Sequence, residues 1–160
     1  IGLFWASYIH QPQSLDIRFQ GHRAEEAPRQ TRWIRGITPA HGVRPTHLAS
    51  DDERTFDHDD DFSLSLVFNR SQHRYVRPWY FGVSHEMAFA QMFRPADQIR
   101  ITQSPSGGGE GNPAWDFQFF IPDYEVDERY QMVMRAKYLP FESPEQVERD
   151  TAPHRNALSR

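Results

Sequence analysis

Apolar residues recur at every second position along much of this chain, and that period constrains the fold more than any other feature. Phe62, Leu64, Leu66 and Phe68 point one way, and Ser63, Ser65 and Asn69 the other. Trp115, Phe117, Phe119 and Ile121 alternate with Asp116 and Gln118. Tyr130, Met132, Met134, Ala136 and Tyr138 alternate with Gln131, Arg135 and Lys137, and Leu15, Ile17 and Phe19 with Asp16, Arg18 and Gln20. A period of two puts one face in a core and one in water, the pattern of antiparallel sheets. Further strands are expected near 2–9, 31–37, 74–83, 86–94 and 97–103. Turn residues separate them, as at Gln11-Pro12-Gln13-Ser14 and Arg94-Pro95-Ala96-Asp97. Many short strands closely spaced predict an all-β fold, an antiparallel β-sandwich of about nine strands.

One short C-terminal helix is predicted over 144–150. Ser143 is its N-cap, Pro144 its first residue, and Gln146 completes a capping box. This divides the chain into a sandwich domain, 1–142, and a short helix with a polar tail, 143–160. Gly2 to Ile9 reads as a strand already under way, so the chain is expected to be the C-terminal part of a longer protein. An N-terminal segment or domain of that protein is then an expected partner.

Composition excludes some functions. There is no cysteine, which removes disulfides, thiol nucleophiles and Cys-type zinc sites. The formal net charge is −4 and no basic run is visible, which argues against nucleic acid. The mean hydropathy is −0.78, and no apolar run approaches the ~20 residues of a membrane helix. The expectation is therefore a soluble chain with no membrane partner. Lys137 is the only lysine; the other cations are Arg, whose planar fork matches carboxylates and phosphates.

Four stretches invite a functional reading. The acidic run from Asp51 to Asp61 suggests calcium, but with Asp57, Asp59 and Asp61 at positions one, three and five, Phe62 stands where the EF-hand needs Gly. A solvated loop is the simpler reading. His41, His47, His73 and His85, with Glu86, form a loose set without zinc-motif spacing. The Gly-rich Ser106-Gly107-Gly108-Gly109-Glu110-Gly111-Asn112 lacks the Gly-Lys-Ser/Thr of a P-loop. It reads as a hairpin connection or as a lid beside a cleft. Arg77-Pro78-Trp79-Tyr80-Phe81-Gly82 sets three aromatics in a row, either packed on both faces or left exposed for a sugar ring.

Several blocks resemble an uncharacterised group of bacterial β-rich proteins: Leu3-Phe4-Trp5-Ala6-Ser7-Tyr8-Ile9, Gln103-Ser104-Pro105-Ser106-Gly107-Gly108-Gly109, and Asn112-Pro113-Ala114-Trp115-Asp116-Phe117-Gln118-Phe119. The resemblance spans most of residues 2–141 and implies no activity or cofactor. The general plan is also similar to galactose-mutarotase-like sandwiches, which bind sugars on a concave sheet; that likeness is of architecture alone.

Together these features suggest a carbohydrate-binding or carbohydrate-processing domain. Trp33, Trp79 or Tyr80 is the expected stacking platform, and Arg77 the group that holds an acidic sugar or a hydroxyl. His41, His47, His85 and Glu86 are the candidate acid–base residues for proton transfer on a sugar. The alternatives are a non-catalytic packing module of a larger protein and a metal-dependent hydrolase built on the histidines.

Overall fold

A computed structural model describes residues 1–55 and 69–159. The strand expected at Phe62–Phe68 and the acidic residues 57–61 lie outside the described residues.

The chain folds into β1 (Gly2–Trp5), β2 (Ile17–Arg23), β3 (Arg32–Gly36), β4 (Thr46–Ala49), β5 (Arg70–Tyr75), β6 (Trp79–Ser84), β7 (Met87–Phe93), β8 (Arg100–Ser104), β9 (Ala114–Phe120) and β10 (Met134–Pro140), then helix α1 (Pro144–Leu158). Among the described residues the strands form one ten-stranded sheet, ordered β1-β9-β8-β4-β5-β2-β6-β7-β10, with β3 on the other edge of β2. The fold is mostly β with a C-terminal helix, as expected. The plain antiparallel sandwich is not: the sheet is a curled half-barrel, and β4 runs parallel to β5.

The curl originates in a register shift. β5 and β6 pair successively with one edge of β2, Tyr75 opposite Gly21 and Phe81 opposite Arg18. Val76 still donates to the Gln20 carbonyl at 2.9 Å, and the extra residues, among them Arg77 and Pro78, fall between it and Phe81. Pro78 cannot donate to a ladder, which suits it to such a bulge. From this bend one wing runs through β4, β8, β9 and β1, and the other through β7 and β10.

The wings close on each other around Ile17, Phe19, Tyr80, Phe93, Ile101, Trp115 and Phe117. Phe93 meets Phe117 with ring centroids 4.7 Å apart. The Trp115 indole lies on Gly82, where a Cβ would fall 2.4 Å from the ring. The Tyr80 hydroxyl accepts from the Gln91 amide at 2.8 Å and lies 3.0 Å from the Trp115 carbonyl, which satisfies a fully buried phenol.

A second core forms on the back of β6, β7 and β10, where Trp79, Phe81, Ala88, Ala90, Met92 and Leu139 meet Val147 and Leu158 of α1. Ser143 caps the helix as expected, accepting from the Gln146 N–H at 3.1 Å. The Gln146 side chain accepts from the Glu142 N–H rather than from Ser143. The helix also runs through Pro153 to Leu158, so the expected polar tail is helical. Burial of Thr151 and Leu158 and the Arg155 guanidinium over Trp79, 4.6 Å from the ring centroid, hold the last turns despite the proline. No helix among the described residues is long and apolar enough to cross a membrane.

Candidate functional site

The candidate site is assembled on the outer face of β8 and β9, beside the Gly-rich hairpin that joins them. Alternation along β9 turns Trp115 and Phe117 into the core, and Asp116 and Gln118 the other way. That other face is not wet: Asp116 is 4% exposed and Gln118 1%. Residues following β1 lie along β9, where Trp115 donates to the Ser7 carbonyl at 3.0 Å and Ile9 to the Pro113 carbonyl at 3.0 Å. This brings the Ser7 N–H to 2.8 Å from Asp116 Oδ1.

The hairpin is folded rather than loose. Gly109 and Gly111 adopt φ of +103° and +72°, which glycine tolerates without a Cβ clash. Gly108 donates to the Asn112 carbonyl at 2.9 Å, and Asn112 Oδ1 accepts from the Gln11 N–H at 3.1 Å. Gln103 joins the β3–β4 loop to the sheet: its Oε1 accepts from the Thr38 N–H at 3.0 Å, and its Nε2 donates to the Leu15 carbonyl at 2.8 Å. The anchored loop then carries His41 to the hairpin, with Nδ1 2.8 Å from Ser104 Oγ.

The result is a cleft of about 170 Å³ whose lining includes Phe4, Tyr8, His41, Thr102, Ser104 and Asp116. Phe4 is 40% exposed and Tyr8 62%, so two aromatic rings stand at an accessible surface beside buried polar groups. Thr102 Oγ1 is buried with no hydrogen-bond partner among the described residues. Burial pushes the Asp116 carboxyl up to about 7, against the pull of the Ser7 N–H. A carboxyl so held can give or take a proton near neutral pH.

Of the residues expected at a site, only His41 lines this cleft. His47 is buried on the concave face of the sheet, in a separate cleft. His85 and Glu86 are the central pair of the β6–β7 turn, with φ of +50° and +62°. Both are exposed, and the primed geometry of that turn accounts for their place.

The aromatic platform requires correction. Trp79 and Tyr80 are 1% and 0% exposed, one beneath α1 and the other between the wings, so neither can stack on a ligand. Trp33 is half-buried, edge-on to Trp79 and Phe81. Arg77 reaches α1 and pairs with Glu148 at 2.9 Å. Burial of both strand faces, the simpler reading, is what the fold realises.

Among the described residues, no three His, Asp or Glu side chains are grouped to hold a metal ion.

Sequence reasoning missed Asp116, Phe4 and Tyr8. A signal for Asp116 was present: an acid between two large core residues, in a strand whose polar positions were assigned to water. The chain finds no match among protein-family models, curated proteins or solved structures.

Proposed function

We propose that the cleft between the β1 segment and the Gly-rich hairpin binds a carbohydrate, with Asp116 and His41 as the groups that move protons on it. One observation carries the reading: a buried carboxyl, hydrogen-bonded by a single backbone N–H, sits in a cleft beside two exposed aromatic rings. Aromatic faces accept the apolar face of a sugar ring, and a few convergent polar groups orient its hydroxyls. Asp116, poised near neutrality by burial, suits general acid–base transfer at a sugar carbon or hydroxyl. Ser104 holds the His41 ring, and Thr102 offers a hydroxyl that has no other partner among the described residues.

A thermal-shift panel of neutral sugars and uronic acids tests the reading. A ligand at ~100 times its dissociation constant adds about 2.7 kcal/mol and raises the midpoint by roughly 5–10 °C in a domain of this size. The expected pattern is a shift with one sugar class, lost in Tyr8→Ala and kept in Asp116→Asn, with any turnover lost in Asp116→Asn. A flat panel refutes it.

A specific observation favours a second reading, a non-catalytic interaction module. All four residues of β1 are exposed, Leu3 at 43% and Trp5 at 53%. Among the described residues the strand pairs only with β9, and such an apolar edge can take up a partner's strand.

A further inference from the structure

A second cleft, of about 300 Å³, opens where β3, β4 and β5 meet. Its lining includes Gly36, Thr38, Arg44, His47, Ser71 and His73. His47 is 2% exposed, and among the described residues neither of its ring nitrogens has a partner at full hydrogen-bond geometry, the His73 backbone making only a weaker approach. Its ring leans on Phe19, centroids 4.6 Å apart. Burial, and then the charge of the neighbouring His73 ring, pushes it down to about 3, with the His73 backbone acting the other way. A neutral imidazole carries one N–H donor and one lone pair. Both are buried here and, among the described residues, without a well-formed hydrogen bond, which folded proteins rarely leave unexplained.

The surroundings select the charge of what would fill the space. Among the described residues no acidic side chain lines the cleft, and Arg44 does. Burial, followed by the Arg23 and Arg32 guanidinium groups, holds His73 below its usual range, with Glu26 acting the other way. Glu26 is itself engaged by Arg32 at 2.8 and 3.0 Å. The described charged groups around the cleft are thus mainly guanidinium, which disfavours a metal cation on the two imidazoles and favours an anion. Gly36 leaves the approach open: a Cβ there would lie 2.9 Å from His47 Nε2.

We propose that this cleft binds a small oxyanion, the phosphate or carboxylate group of a ligand, with the His47 N–H as buried donor and Arg44 and His73 as its cationic and polar flank. Arg recognises such groups through its planar fork. The site is separate from the Asp116 cleft and does not rest on the carbohydrate reading.

The test is NMR of the whole chain labelled with ¹⁵N-histidine, titrated with inorganic phosphate, acetate and glucuronate. The expected result is a saturable change in the His47 ring nitrogens with at least one of these anions. Arg44→Ala should weaken the apparent affinity about tenfold, or about 1.4 kcal/mol. His47→Phe, which keeps a ring on Phe19, should abolish binding. The Arg44 side chain is at an exposed position, so that variant remains decisive even where His47→Phe does not fold. Tighter binding of glucuronate than of acetate supports an acidic sugar as the source, and equal binding a free anion. No saturable change with any of the three, or unchanged affinity in Arg44→Ala, overturns the proposal.

Discussion

Replacing Asp116 by Asn should stabilise the protein in a pH-dependent way, with a size set by burial. The carboxyl rises from 3.8 to about 7 on folding because water is withdrawn from its charged form. Below about pH 4 it is protonated in both folded and unfolded chains, and its ionisation makes no difference to stability. Between about pH 4 and 7 the unfolded chain loses the proton while the folded one keeps it, so this group makes stability fall as pH rises. Above about pH 7 the full penalty persists. Three pK units at about 1.36 kcal/mol each amount to about 4 kcal/mol. Asn cannot ionise, and its Oδ1 can still accept the Ser7 N–H that Asp116 accepts at 2.8 Å. Urea denaturation of both proteins, at about pH 4 and about pH 8, isolates the effect, because other titrating groups cancel in the difference. The stability of Asp116→Asn relative to wild type should grow by roughly 2–4 kcal/mol over that range. At about 2–4 °C per kcal/mol, thermal midpoints should diverge visibly. Parallel pH profiles would show that Asp116 ionises as freely in the fold as out of it, and would remove the physical basis of its acid–base role.

Two further outcomes test the packing that positions the sites. Gly82→Ala forces a methyl group into the Trp115 indole, with 2.4 Å available, and should cost about 1–3 kcal/mol or more in urea denaturation. Ser143→Ala removes the acceptor of the Gln146 N–H and should cost about 1 kcal/mol. Its signature is a lower thermal midpoint while the sugar response of the Asp116 cleft is kept.

The core faces of β2 and β9 were legible in the residues alone, because the period of two is imposed by the backbone, whereas on β10 the face read as apolar leaves Tyr138 61% exposed and Leu139 is the buried residue. Phe117 and Trp115 on β9, Ile17 and Phe19 on β2, and the Ser143 cap all follow from local pattern and local hydrogen bonding. Other features depended on what tertiary contacts place beside each strand. The extra residues around Arg77–Pro78 and the parallel β4–β5 pair turn a sandwich-like pattern into one curled sheet. α1 covers Trp79 and carries its own chain past Pro153. The polar face of β9 reads as solvent in the sequence, and in the fold it lies beside the β1 segment and the Gly-rich hairpin. Alternation tells which residues share a face but not what covers it, and whether Asp116 meets water or a closed cleft is decided by segments more than 100 positions away in the chain.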